Sequence, residues 1–181
     1  MKFETERLIL RPISLEDRNE VFEYRSDSEA NKYQGWIPET PEDVDRFIDK
    51  LAKEANEPET WFQLVIIEKK SQKIVGDLGI HFMDTENRQA GLGYTIHTDF
   101  QKKGYATESV KAVIDYLFST LNKHRITASV DPENTASIRL LERIGFRKEA
   151  HFVESLLLNG VWVDDIIYAL LEKDWEKLNS Q

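Results

Sequence analysis

Residues 101–107, which read QKKGYAT, carry side chains and backbone groups that could bind an anion. They follow an apolar, strand-like run, GLGYTIH, and a helix is predicted to begin near Lys103. The first amides of a helix have no carbonyl partner, and the helix dipole adds about half a positive charge there, so a phosphate is favoured. Gly104 would let the backbone approach such a group closely. The segment predicts a phosphate cradle or, alternatively, a plain turn with two exposed lysines.

The familiar phosphate-binding loops do not fit this segment. It contains neither the pattern G-x-x-x-x-G-K-[ST] nor the dinucleotide pattern G-x-G-x-x-G. A ligand bound here would therefore be a phosphate-bearing molecule of a different kind from those that these two loops bind. The sequence of this segment fits both a phosphate cradle and a plain turn, and other segments of the chain are needed to distinguish them.

Composition narrows the functions that this 181-residue chain can have. A net charge of −9 argues against nucleic acids and acidic membranes as partners, and no apolar run reaches the ~20 residues that cross a bilayer. We see no signal-peptide pattern at the N-terminus. Without cysteine there is no disulfide or thiol nucleophile, which suits a cytoplasmic protein. Four scattered histidines without an H-x-x-x-H pair predict no metal site.

The order of apolar patterns predicts one α/β (α+β) domain over residues 1–181, with a mixed, mostly antiparallel twisted sheet and about four helices. Helices are expected after the caps Ser14, Thr40 and Asn134, and over residues 103–121. Asn159-Gly160 predicts the turn of a long C-terminal hairpin. The strands are predicted at residues 7–13, 61–70, 73–83, 87–97, 125–130 and in the two arms of the segment 151–171.

Four segments resemble the GNAT superfamily of N-acetyltransferases. The run QKKGYA matches the superfamily loop [RQ]-x-x-G-x-[GA], and NTASIRLLERIGF, residues 134–146, resembles its second signature. The runs TERLILRP near the start and LLNGVWVD near the end resemble the branch that includes the ribosomal-protein N-terminal acetyltransferases. These matches occur in the family's order and together span nearly the whole chain. They are therefore more specific to the family than the six-residue loop alone.

The resemblance implies acetyl-CoA as the co-substrate. In this family the pyrophosphate lies on the loop described above, and the strand before the loop splays away from its neighbour so that the pantetheine arm pairs with its backbone. An asparagine at the start of the second signature commonly holds the pantetheine; here it doubles as a predicted helix cap. The implied cofactor-binding residues are Tyr94, Thr95, Ile96, Gln101, Lys102, Lys103, Gly104, Tyr105, Ala106, Thr107 and Asn134.

The implied reaction is direct attack of a primary amine on the thioester. An amine with a pKa near 10 is only about 0.1% neutral at pH 7, so a base must remove its proton, and the departing thiolate needs a donor. Many family members use a tyrosine as this acid, but Leu141 stands at that position and Ser137 is the alternative donor. Gly91 likewise replaces a possible glutamate base. Candidate bases are Glu154, Asp164, His81, Asp77 and His97.

The acceptor is expected at the first helices and the loop NKYQGWIPET, with Trp36 and His81 as substrate-binding residues. Trp36 could line the acceptor site or simply pack over the core. The resemblance leaves the acceptor open between a protein N-terminus and a small-molecule amine, and it leaves a homodimer possible. The competing interpretation is a catalytically silent module that binds acyl-CoA, which the missing tyrosine and the missing strand glutamate would explain.

Overall fold

The sheet consists of two antiparallel parts joined by one parallel pair of strands. The computed structural model describes residues 1–158 and 160–180 and places eight strands in the order β1-β2-β3-β4-β5-β6-β8-β7. Only β5 and β6 pair in parallel; the other neighbours are antiparallel. The strands are β1 (Phe3–Glu4), β2 (Leu8–Pro12), β3 (Thr60–Glu68), β4 (Ile74–Phe82), β5 (Gln89–Ile96), β6 (Arg125–Val130), β7 (Arg147–Leu158) and β8 (Val161–Leu171).

Five α-helices are found in the part of the chain that the structure describes, where the sequence predicted about four. They are α1 (Arg18–Arg25), α2 (Pro41–Asp49), α3 (Tyr105–Ser119), α4 (Thr135–Ile144) and α5 (Glu172–Asn179). The unpredicted helix, α5, has a mostly polar sequence and one buried residue, Trp175, so its apolar periodicity is weak. Among the described residues no helix has the length and apolar character needed to span a bilayer.

Local capping chemistry accounts for the helix starts. Ser14 caps a 3₁₀ turn over Leu15–Asp17 that leads into α1, and Thr40 caps α2, as predicted; Asp17 and Asp43 complete capping boxes with these two residues. The start of α3 lies two residues later than predicted, because Gly104 adopts a left-handed conformation with φ of 84° and serves as the N-cap. Gly160 also has a positive φ in the predicted hairpin turn, whereas Asn159 lies outside the described residues.

The two sides of the sheet carry separate apolar clusters, because successive residues of a strand point to opposite faces. Helices α3, α4 and α5 cover one side, where Leu64, Leu78 and Ile126 are fully buried. Helices α1 and α2 cover the β2–β4 part of the other side, over Val65 and Ile67. The remainder of that second side, at β4–β6, has little helical cover.

A buried ionic network fixes α1 to the second side of the sheet. Asp77 on β4 is 1% exposed and accepts hydrogen bonds from Arg25 Nε at 2.9 Å and Gln63 Nε2 at 2.6 Å. Tyr24 OH and a second nitrogen of Arg25 complete the set around the carboxylate. Asp77 was among the candidate bases in the sequence, but every contact found here occupies its carboxylate in holding the fold together.

Asp77→Ala is expected to lower the free energy of unfolding by about 3–5 kcal/mol, because it leaves the Arg25 guanidinium buried without its counter-charge. Urea denaturation would measure the change. Asp174→Ala is the matched control: it breaks an exposed ion pair with Arg147 and should cost about 1 kcal/mol or less. Similar losses in the two variants would contradict a structural role for this network.

Candidate functional site

A cleft opens where the two parallel strands part. β5 and β6 pair only through their first residues, Gln89–Gly91 against Arg125–Thr127. Beyond that point β5 stays with β4 as far as Ile96, and β6 stays with β8 as far as Val130. Within residues 1–158 and 160–180, one backbone edge of β5 from residue 92 onward therefore has no strand partner. A ligand with amide groups along its length could pair with this edge.

The loop that follows β5 presents backbone N–H groups at the end of the cleft. Gln101 Nε2 donates to the Ile96 carbonyl at 3.1 Å, which ties the loop back to the strand. The first bond of α3 runs from Glu108 N to Gly104 O at 3.0 Å. The amides of Tyr105, Ala106 and Thr107 consequently have no acceptor within the helix. These donors, at the positive end of the helix dipole, could hold a phosphate.

The loop side chains differ in what they can offer a ligand. Lys102 and Lys103 are exposed, and Lys103 Nζ lies 4.7 Å from the centroid of the Phe100 ring. Tyr105 is 6% exposed and its hydroxyl donates to the Glu68 carboxylate, so only its backbone amide faces outward. The structure thus brings the predicted loop residues together at one end of the cleft, with the two lysines as its exposed cationic groups.

Across the cleft, the start of α4 meets the middle of β5. Tyr94 OH and Ser137 Oγ share a hydrogen bond of 2.9 Å. The Asn134 side chain caps the helix by accepting from Ser137 N at 3.2 Å. Burial raises the pKa of the Tyr94 phenol, although its hydrogen bond with Ser137 opposes this, so the phenol keeps its proton. The three predicted residues therefore lie together, and Ser137 has a protonated neighbour.

The second side of the sheet is bare beside the cleft, and we call this region the open face. It is defined by Gly79, Gly91, Gly93, Trp61 and His81. Gly79 and Gly93 are paired across β4 and β5. A Cβ placed on exposed Gly93 would meet no atom within 4 Å, whereas one on buried Gly79 would lie 2.7 Å from Gln63 Oε1 and 3.3 Å from the Trp61 ring. His81 stacks on Trp61 with ring centroids 4.6 Å apart. The open face could accommodate an extended acceptor next to the strand edge.

The two residues predicted to bind the acceptor lie in different surroundings. His81 belongs to the open face, opposite Gly91 in the β4–β5 register. Trp36 stacks on Phe47 of α2 at 4.3 Å and lies under the Arg25 guanidinium, 5.5 Å from the ring centroid. Trp36 is therefore part of the packing of α1 and α2. The loop that carries it reaches β5 through Gln34, whose Nε2 donates to the Tyr94 carbonyl at 3.4 Å.

The two predicted catalytic carboxylates lie on the C-terminal hairpin. Asp164 accepts from Glu154 N at 2.9 Å, and His151 Nε2 lies 2.7 Å from its other oxygen. These two contacts lower the pKa of Asp164, which weakens it as a base. Glu154 is exposed at a bulge in β7, with φ of 45°. Alternation along β8 places Asp164 on the same side as buried Ile166, away from the open face.

Sequence reasoning missed two residues that border the open face. Asp165 is 7% exposed and accepts from Ser129 Oγ at 2.7 Å, on the strand pair that forms the far side of the cleft. Trp61 was read only as the start of a strand, yet it is 48% exposed. Because side chains alternate along a strand, the sequence predicts that Asp164 and Asp165 point to opposite sides of the sheet. It does not predict which of these sides is open.

A family model, a sequence relative and a solved structure are similar to this chain over most of its length. A family model described as an acetyltransferase (GNAT) domain matches residues 7–147. The uncharacterized N-acetyltransferase p20 of Bacillus licheniformis is 34% identical over 94% of this chain and 96% of its own length. The crystal structure of a GNAT-family acetyltransferase from Bacillus anthracis superposes with a TM-score of 0.85 at 32% identity, covering 96% of this chain and 99% of that one.

Two sequence relatives with named acceptors match about half of the chain. The alanine N-acetyltransferase of ribosomal protein uS5 from Escherichia coli is 42% identical over 46% of this chain and 43% of its own length. The spermidine N(1)-acetyltransferase of Vibrio cholerae is 30% identical over 55% of this chain and 57% of its own length. The first name gives an alanine of ribosomal protein uS5 as the acceptor, and the second gives spermidine.

Proposed function

Because this chain belongs to the GNAT acetyltransferase family, we propose that it transfers an acetyl group from acetyl-CoA to a primary amine. The observation that carries the proposal is the parting of β5 and β6, which exposes a strand edge next to the free amides of α3. These groups match a ligand that carries a diphosphate at one end and amides along its arm. Acetyl-CoA supplies the activated acetyl group, as a thioester.

The chain's own groups have separate roles in binding this co-substrate. The amides of residues 105–107 bind the diphosphate, and Lys102 and Lys103 neutralise its outer oxygens. The edge of β5 that faces the cleft, at Tyr94, Thr95 and Ile96, pairs with the pantetheine arm and keeps it extended; Gln34 and Gln101, which donate to the Tyr94 and Ile96 carbonyls in this structure, give way to it. Thr95 Oγ1 is buried and has no hydrogen-bond partner among the described residues.

Ser137 is our candidate for the group that donates a proton to the departing thiolate. Its hydroxyl lies on the cleft side of α4 and is hydrogen-bonded to Tyr94 OH, which can replace the proton because burial keeps the phenol protonated. The pair takes the place of the tyrosine that many family members have where Leu141 stands. Leu141 itself is 2% exposed and packs in the core.

A base on the open face would take the proton of the incoming amine. His81 and Asp165 both border this face, and either can act directly or through a water molecule. Glu154 and Asp164 remain predictions that the hairpin geometry does not favour. The pH dependence of kcat/KM in His81→Gln and Asp165→Asn would separate the two nearer candidates, since the base's titration disappears from the profile when it is replaced.

For the acceptor, we propose a protein N-terminus rather than a polyamine. The open face offers the exposed backbone of Gly93 and the stacked pair of exposed Trp61 and half-buried His81, which suit an extended peptide with an apolar side chain. A polyamine would need several free carboxylates, whereas the Asp77 carboxylate is occupied by hydrogen bonds within the protein and Asp165 alone would not supply them. The 42% identity to the uS5-alanine enzyme points the same way.

The test measures thiol release from acetyl-CoA with a panel of acceptors, beside calorimetric binding of CoA. The panel holds short peptides with free N-terminal Ala or Ser, the same peptides N-terminally blocked, spermidine and single amino acids. Turnover with free but not blocked peptides is the expected result. Turnover with spermidine alone would assign a small-molecule acceptor. CoA binding without any turnover would favour the silent module, and no CoA binding would refute the proposal.

A further inference from the structure

The turn between β1 and β2 is bonded to the first turn of α3, immediately beside the proposed cofactor loop. Glu108 accepts from Thr5 Oγ1 at 2.5 Å, from Arg7 N at 2.9 Å and from Arg7 Nε at 2.7 Å. Burial opposes ionisation of Glu108, but these donors lower its pKa, so the carboxylate is charged at neutral pH. Thr5 and Arg7 belong to the segment TERL, residues 5–8, which is part of the run that resembles the N-terminal acetyltransferase branch.

Arg7 also reaches the loop itself. Its NH1 group donates to the carbonyl oxygen of Lys103 at 2.9 Å. That carbonyl belongs to the same peptide unit as the N–H of Gly104. Because the unit is planar and trans, its C=O and N–H point in opposite directions. Holding the carbonyl toward Arg7 therefore turns the Gly104 N–H away from Arg7.

Two further contacts limit how Arg7 can move. Its guanidinium lies 4.8 Å from the centroid of the Tyr105 ring, and the NH2 group is 2.6 Å from Glu108. The same NH2 group is 3.2 Å from the position that a Cβ on Gly104 would occupy. Arg7 is thus held by Glu108 on one side and packs against the residue that begins α3 on the other.

We propose that Arg7, anchored by Glu108, is a positioning residue that holds the Lys103–Gly104 peptide with its N–H directed into the diphosphate site. The inference rests on the proposed function, since it assumes that the loop binds the diphosphate of CoA. It adds a residue from the N-terminal strands, about a hundred positions away in the sequence, to a site formed by α3. Arg7 need not touch CoA; it acts through the loop backbone.

The test compares two probes, CoA and pantetheine, which lacks the diphosphate. Kd values are measured by calorimetry for CoA and by NMR titration for pantetheine, in the wild type, Arg7→Lys, Arg7→Ala and Glu108→Gln. Lysine keeps the charge but cannot bond Glu108 and the Lys103 carbonyl together in the same geometry. Arg147→Ala is the matched control, since Arg147 is similarly exposed and bonds two carboxylates far from the loop.

We expect the Kd of CoA to rise roughly tenfold in Arg7→Lys, Arg7→Ala and Glu108→Gln, while the Kd of pantetheine stays within about twofold of the wild-type value. The CoA-induced shift of the Gly104 amide resonance should shrink in parallel, and Arg147→Ala should behave as wild type. Wild-type affinity in Arg7→Lys, or equal losses for both probes, would overturn the inference. Failure of the proposed function is distinct, because the wild type itself would then not bind CoA. If Arg7→Ala does not fold, Arg7→Lys and Glu108→Gln decide.

Discussion

Gly104→Glu is expected to weaken CoA binding by about a hundredfold or more, which corresponds to roughly 3 kcal/mol. Gly104 has φ of 84°, where a side chain is strained, and its Cβ would lie 3.2 Å from Arg7 NH2. The new carboxylate would also stand at the start of α3, where the diphosphate is proposed to bind, and it would repel that group. Calorimetry with CoA measures the loss, and a thermal melt checks that the variant folds.

Gly160→Glu is the control for this prediction. Gly160 has nearly the same φ, 80°, but a Cβ there meets no atom within 4 Å, and the residue lies in the C-terminal hairpin. Both variants add the same charge and a similar backbone strain of roughly 1–2 kcal/mol. Only Gly104→Glu should lose CoA. Equal affinities in the two variants would mean that the loop does not bind the diphosphate.

The elements that the sequence predicted correctly have signals within a few residues of one another. Ser14 with Asp17 and Thr40 with Asp43 specify helix starts through side chains that bond the adjacent backbone. The start of α3 is also specified locally, because Gly104 adopts the left-handed conformation of its N-cap. Such features form largely irrespective of what packs against them.

Helix α5 and the arginine beside the loop depend on contacts that sequence spacing does not reveal. α5 is held by Trp175, which is buried and donates from Nε1 to Asp115 of α3 at 2.7 Å. Arg7 meets Glu108 across 101 positions of sequence. Neither pairing has a periodic pattern, since each joins single residues from distant elements. A reading of one sequence therefore finds the residues but not their partners.

The carboxylates show a second limit. Glu154 and Asp164 were predicted because they lie on the last hairpin. Which side of a strand faces the site, however, depends on which helices cover each side of the sheet. Helices α3 and α4 occupy the side that Asp164 shares with Ile166. The open face belongs instead to Asp165, one residue away. A one-residue shift in phase therefore moves the proposed base to the other side of the sheet, although the predicted strand was correct.

Ser137→Ala is expected to lower kcat by about a hundredfold while the Kd of CoA changes less than about threefold. The substitution removes the hydroxyl that bonds Tyr94 OH at 2.9 Å, and with it the proposed donor to the thiolate. Because the donor acts only as the bond to sulfur breaks, its loss affects turnover rather than ground-state binding. Steady-state kinetics with the acceptor from the panel, together with calorimetry, measures both quantities.

Tyr94→Phe separates the two members of the pair. If Ser137 donates directly and Tyr94 only replaces its proton, the phenylalanine variant should lose about tenfold, less than Ser137→Ala, since water can also return a proton. Ser119→Ala, an exposed serine at the end of α3, is the control for removing a helical hydroxyl and should leave kcat unchanged. A larger loss in Tyr94→Phe than in Ser137→Ala would make the phenol the donor, with Ser137 holding it in place. Unchanged turnover in both would show that the thiolate is protonated by solvent, so that positioning of the amine against the thioester accounts for the rate.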